Sequence, residues 1–200
     1  MKNAKYIIIL FIMILSSGCA NNRAENKYVP APSPVPSPVQ TPQAEETPSP
    51  EPVTLSNYST KLFDKRPSRL NNIKRASDRI NGKVINSGEI MSFNEIVGPR
   101  TKEAGYEEAI VYIHGEKVMG YGGGVCQLST TIYNAALDAG LEIIERNEHQ
   151  QEVQYAPKGK DAMVNYGTAD LKIKNNESFP IKILTNLSEN SVDVSILCIK

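Results

Sequence analysis

The chain has 200 residues, 22 Lys plus Arg against 22 Asp plus Glu, 40% hydrophobic residues, three Cys, two His and no Trp. With no surplus of positive charge to meet a phosphate backbone, the composition argues against a nucleic-acid binder. The length suits one compact domain, or at most two.

Residues 1–18 have the layout of an export signal: Lys2 and Lys5, an apolar run from Tyr6 to Leu15, then the small residues Ser16, Ser17 and Gly18 before Cys19. The run is too short to span a bilayer comfortably, and its ending resembles a bacterial lipobox, with Ser16 where that motif usually carries Leu. Cys19 is therefore expected as a lipidated first mature residue that ties the chain to a membrane on its extracytoplasmic side. Residues 19–57 hold nine of the 13 prolines and almost no large apolar side chains, which predicts a disordered spacer. In polyproline II form, at about 3.1 Å per residue, it would reach at most about 120 Å.

The folded domain is expected over residues 58–200. Leu70, Ile73, Ala76 and Ile80 share one helical face between Arg69 and Ile80, and Gly82 marks its end. Ile110–Ile113 and Lys117–Tyr121 predict a hairpin with His114 at its tip. A second helix runs from Cys126, with Leu128, Ile132, Ala135, Ala136 and Ala139 on one face and Gly140 as its cap. Strands are expected at Leu141–Arg146, Glu152–Tyr155, Met163–Tyr166, Leu171–Lys174, Ile181–Leu184 and Val192–Ile199. The sum is an α+β domain: two helices packed on a largely antiparallel sheet, with a cysteine at a helix N-terminus.

Gly122, Gly123 and Gly124 deliver Cys126 to the first turn of that helix, where free amides and the positive helix end favour a thiolate. Backbone N–H groups of Gly123, Gly124 and Val125 are candidate oxyanion donors. The proton acceptor is expected to be His149, in a polar stretch 23 residues further on, rather than His114; Asp161 or Asp170 would orient it. Three plainer readings compete: Cys126 as a small core residue, a disulfide with Cys198, and a zinc site assembled from Cys126, His149 and aspartates. The zinc reading lacks a close-spaced ligand pair, and no cofactor or metal is expected.

The segments YSTKLFDKRPSRLNNIKRASDRING (58–82), SGEIMSFNEIVGPRTKEAGY (87–106), GGGVCQLSTTIYNAALDAGLEIIER (122–146), YAPKGKDAMVNYG (155–167) and DLKIKNN (170–176) together resemble the VanW-domain family, named after an accessory protein of glycopeptide resistance. The resemblance implies an exported or membrane-anchored bacterial protein. Some members are regarded as L,D-transpeptidases that cross-link peptidoglycan through the family's cysteine, which falls on Cys126, and the family's histidine falls on His149. Where members often carry Arg-His-Asn-His-Ser, this chain has Arg146, Asn147, Glu148, His149 and Gln150, so the first histidine is missing. The Ser-x-x-Lys pattern of penicillin-binding proteins is absent, as is the Ser/Thr-x-Gly-Cys signature of other L,D-transpeptidases.

The expected function is a cysteine acyltransferase acting on peptidoglycan stem peptides, an L,D-transpeptidase first; the alternatives are a non-catalytic wall-binding lipoprotein and an L,D-carboxypeptidase or amidase. Arg100 and Arg146 are candidates for a substrate carboxylate. Tyr121 and Tyr166, with Tyr106 and Tyr155, are candidates to line a groove.

Overall fold

The computed structural model describes residues 52–113 and 115–199. The expected signal, Cys19, nearly all of the spacer and His114 lie outside the described residues. None of the described helices is long and apolar enough to cross a membrane.

The largest sheet has four antiparallel strands in the order β1 (Val53–Lys61), β9 (Ser191–Cys198), β8 (Ile181–Leu187), β2 (Lys83–Ile85). Its hydrophobic face follows from a period of two: Val192, Val194 and Ile196 point inward from β9, and Ile181 and Ile183 from β8. Two helices cover that face. α1 (Pro67–Ile80) lies against β8 through Ile73, Ala76 and Ile80, and Pro67 stands in its first turn, where a missing N–H costs nothing. α3 (Val125–Asp138) lies against β1 and β9 and also touches α1. It ends in a Schellman motif: Leu141 N–H donates to the Ala136 carbonyl at 2.9 Å, Gly140 N–H to Leu137 at 3.0 Å, and Gly140 takes φ 74°.

A three-stranded sheet, β3 (Ile90–Ser92), β7 (Lys172–Lys174), β6 (Glu142–Glu145), and the hairpin β4 (Glu108–Ile113) with β5 (Glu116–Tyr121) complete the pairing. The short helix α2 (Phe93–Val97) follows β3, with Ser92 capping it through Glu95 N–H. The architecture is α+β, helices on antiparallel sheet, with Cys126 in the first turn of α3.

Three expectations need correction. The ordered domain begins by Val53, five residues before the expected boundary at Tyr58, because β1 pairs with β9 from Val53 to Lys61. Its inward residues Ser56 and Thr60 are polar, so no apolar alternation marks the strand; they bond instead to α3, Ser56 Oγ donating to the Ala135 carbonyl at 2.7 Å and Thr60 meeting Thr131 at 2.8 Å. Glu152–Tyr155 forms no strand, and Met163–Tyr166 is reduced to two isolated bridges, Asn147–Met163 and Asn165–Ala169. Side chains of α3 take up main-chain groups next to the second segment, so a ladder is not needed there.

Candidate active site

α3 is buried almost all round, and its polar residues do specific jobs. Ser129 Oγ donates to the Ala162 carbonyl at 2.7 Å, Thr130 Oγ1 accepts Ala162 N–H at 2.9 Å, and Asn134 Nδ2 donates to the Lys160 carbonyl at 2.7 Å. The helix that carries Cys126 thus also fixes the loop that carries Asp161. Satisfied in this way, buried hydroxyls and amides stabilise a single arrangement instead of penalising it.

Cys126 is half-buried in the first turn of α3, and its thiol donates to the Val164 carbonyl at 3.4 Å. Burial, the largest single influence, raises the thiol pKa; the hydrogen bond and charge of His149, with the charge of Arg100, lower it, for a net fall below the ordinary 9.0. His149 moves the other way. Its burial lowers the pKa, but the hydrogen bond and charge of Cys126, then those of Asp161, carry it above the ordinary 6.5. The two shifts run in opposite directions because each group favours the charged form of the other.

Asp161 completes the line. Its Oδ2 accepts from the backbone N–H of His149 at 2.7 Å and lies 2.6 Å from Nδ1, which leaves Nε2 as the ring nitrogen available to sulfur. Burial raises the Asp161 pKa, while the His149 amide and ring lower it further, for a net fall. Arg146 holds the carboxylate from the other side: Nη2 donates to Oδ1 at 3.1 Å, Nε to the Asp161 carbonyl at 2.7 Å, and Nη1 to Glu148 at 2.6 Å, with the guanidinium over the Tyr133 ring at 5.1 Å. His149, Asp161 and Arg146 thus form one hydrogen-bonded chain, and the charge of His149 reaches Cys126.

The other candidates separate cleanly. Asp170 accepts from the Ser92 hydroxyl and from the amides of Asn94 and Leu171, at the start of α2, and has no hydrogen bond to His149 among the described residues. Arg146 is committed to Asp161 and Glu148, which makes it a support for the site and not a free carboxylate receptor. Arg100 is packed against the glycine turn, and the geometry leaves its terminal nitrogens without partners. Tyr106 is core, 2% exposed, whereas Tyr166 is 52% exposed on the turn before Asp170, and Tyr121 is on the outer edge of β5 beside Gly122. Cys198 and Cys126 are both free thiols, with Cys198 buried at the end of β9, so no disulfide joins them.

The glycine turn is closely packed. A Cβ on Gly123 would sit 2.5 Å from the Ile110 carbonyl oxygen, and one on Gly124, at φ 106°, would meet Ile73 at 2.9 Å. Asn72 fixes this turn to α1 by donating to the Gly123 carbonyl at 3.1 Å. Val125 N–H is spent on the Gly122 carbonyl at 3.1 Å, which removes it as an oxyanion donor. The amides of Gly124 and Cys126 have no main-chain acceptor among the described residues. A cleft of about 160 Å³ lies beside Arg69, Gln127 and Tyr155, and one of about 110 Å³ beside His149 and Asp161; Val153 borders both.

Sequence reasoning missed Arg146 as the buttress of Asp161, and Ser129, Thr130 and Asn134 as its carriers. The signal was present in QLSTTIYN, where polar side chains interrupt a helix whose every face is flanked by apolar residues.

No solved structure matches the chain. It is 40% identical over 129 residues to the uncharacterized protein YoaR of Bacillus subtilis (strain 168), covering 64% of this chain and 43% of that one. It is 30% identical over 145 residues to the vancomycin B-type resistance protein VanW of Enterococcus faecalis (strain ATCC 700802 / V583), covering 69% of this chain and 52% of that one. The chain thus spans about half the length of these relatives, or less. The family model described as VanW like protein matches residues 68–197, a range that runs from the start of α1 to the end of β9 and holds Cys126, His149, Asp161 and Arg146. The chain belongs to the VanW-like family.

Proposed function

We propose that this domain is a thiol acyltransferase acting on stem peptides of the bacterial cell wall, held at the outer face of the membrane through Cys19. The observation that carries the reading is the line from Cys126 through His149 to Asp161, with the thiol pKa drawn down and the imidazole pKa drawn up. Kinship with a vancomycin resistance protein supports a wall-directed role.

In the first step the Cys126 thiolate attacks the carbonyl carbon of the L,D amide before the terminal D-alanine. A C–S bond forms, and the carbonyl π electrons move to oxygen, where the amides of Gly124 and Cys126 are the available donors. His149 gives its proton to the leaving nitrogen as the C–N bond breaks, so D-alanine departs and a thioester remains. An amine on a neighbouring stem then attacks the thioester carbon and yields its proton to His149 as the C–S bond breaks and Cys126 leaves as the thiolate, giving a cross-link; water in the same place gives a shortened stem. Asp161 keeps Nδ1 engaged throughout, and Arg146 keeps Asp161 in place.

The test is incubation of the protein with tetrapeptide-rich peptidoglycan fragments, read by mass spectrometry. Released alanine with dimers is the expected outcome, released alanine alone would make it a carboxypeptidase, and loss of either with Cys126→Ala ties the reaction to the sulfur.

One observation favours a second reading, a non-catalytic wall-binding protein. The thiol donates to the Val164 carbonyl, a bond that exists only while sulfur keeps its proton. On that reading the fragments bind unchanged, and Cys126→Ala leaves the binding intact.

A further inference from the structure

Arg100 enters the interior from the loop after α2 and packs on the turn that delivers the sulfur. A Cβ on Gly122, at φ 86°, would stand 2.7 Å from Arg100 Cβ and 2.8 Å from its Cγ. The guanidinium carbon lies 5.5 Å from the centre of the Phe93 ring. Nη1 and Nη2 are both shut off from solvent and have no hydrogen-bond partner among the described residues, and the hydroxyl of Tyr106 is in the same condition. Arg100 thus lies against the turn that leads into Cys126, and its charge is felt by Tyr106 and by Cys126.

Arg69, beside Gly124, leaves only its Nε buried and unpartnered and donates through Nη2 to Gln127, whereas both terminal nitrogens of Arg100 are orphaned. Arg146 has Asp161 and Glu148, and Arg66 has Asp64. The carboxylate whose field reaches Arg100, Asp170, is taken up by Ser92, Asn94 and Leu171 and forms no ion pair with it. Burial pushes the Arg100 pKa down, yet a guanidinium stays charged at any pH the protein meets. An interior cation with both terminal nitrogens unpaired is costly, and the partner that suits it is planar, anionic and two-pronged.

Resting on the thiol chemistry proposed above, we infer that Arg100 and Tyr106 form a carboxylate receptor beside Cys126, so that the site takes peptides ending in a free carboxylate close to the bond attacked. The guanidinium donates two N–H groups to the two oxygens, and the Tyr106 hydroxyl supplies a third donor. Binding brings the scissile carbonyl to the sulfur and neutralises the buried charge. The domain would therefore work on chain ends and leave internal amides of the same composition alone.

Two alkylating reagents test this without the natural substrate. Iodoacetate carries a carboxylate beside its reacting carbon, and iodoacetamide has the same shape without the charge. On the full chain, with each cysteine followed by peptide mass mapping, alkylation of Cys126 by iodoacetate is expected to saturate and, when dilute, to outpace iodoacetamide by about tenfold, with acetate competing only against iodoacetate. Arg100→Gln should abolish saturation and cut the ratio of the two rates about tenfold, a ratio from which any general change in thiol ionisation cancels. Should that variant not fold, Tyr106→Phe keeps the ring and removes one donor, and is expected to lower the ratio about threefold. Iodoacetate that is slower than iodoacetamide, unsaturable and indifferent to these variants would overturn the inference while leaving the thiol reading in place. A Cys126 as sluggish toward iodoacetamide as Cys198 would overturn the thiol reading, and the receptor with it.

Discussion

From Ile181 to Cys198 alternate side chains are buried and two strands pair in register from Ile181–Cys198 to Leu187–Val192, whereas from Arg146 to Asp170 the main chain is held by two isolated bridges and by side chains reaching across from α3. The hairpin draws its stability from apolar area and a ladder. The other segment is ordered by hydrogen bonds and ion pairs: His149 to Asp161, Asp161 to Arg146, Arg146 to Glu148. A ladder fixes strands but aims few side chains, while a loop pinned by specific groups can place an imidazole and a carboxylate at chosen angles. The apolar ladder and the polar, pinned loop thus occupy different stretches of chain, joined by α3.

That division can be broken by mutation. Ile183→Ala or Ile196→Ala, at fully buried positions, is expected to cost about 2–5 kcal/mol in urea unfolding. The pH midpoint of Cys126 alkylation in the folded fraction should not move; a shifted midpoint would mean that the sheet tunes the site after all. His149→Ala should do the opposite. With its imidazole gone, Cys126 is left with burial as the dominant influence, and alkylation at neutral pH should fall by about 10–100-fold as the midpoint climbs toward or past 9.0.

Asp161→Asn keeps the shape and removes the charge. The His149 pKa should drop, detected by NMR titration, and alkylation at neutral pH should slow by up to about tenfold. The same variant sharpens the acid limb. Asp161 has a lowered folded pKa, so its contribution to stability is present above the ordinary 3.8 and is lost as pH falls through the folded value; the wild type should lose that increment on acidification and the variant should not. His149 has the reverse sign: raised above 6.5, it contributes below that value and is lost as pH rises through its folded pKa. Smallest is Ser129→Ala, which leaves the Ala162 carbonyl with only the longer bond from Thr130 at 3.4 Å and should cost about 1 kcal/mol, with faster hydrogen exchange confined to the loop at Asp161–Val164.

The sequence made the long, periodic elements legible: both major helices, the hairpin, and the strands at the C-terminal end all announce themselves through apolar spacing. β1 did not, because Ser56 and Thr60 face inward and their fit depends on Ala135 and Thr131, residues about seventy or more positions away. For the same reason Cys126 and His149 could be named from local signals, a glycine turn at a helix head and a histidine in a polar stretch, while the choice between Asp161 and Asp170 could not. Both aspartates precede similar short apolar runs. What separates them is the company each keeps in space, an imidazole and a guanidinium for one, a helix cap for the other.

A sulfur whose proton is loosened by its neighbours is also more open to oxidation by a peroxide than an ordinary thiol. The other described cysteine, Cys198, is sealed at the end of β9, so among the described residues a sulfenic acid formed on Cys126 has no second exposed thiol with which to condense. With Cys198 out of reach, reduction by a small thiol from solution competes with further oxidation to the irreversible sulfinic state.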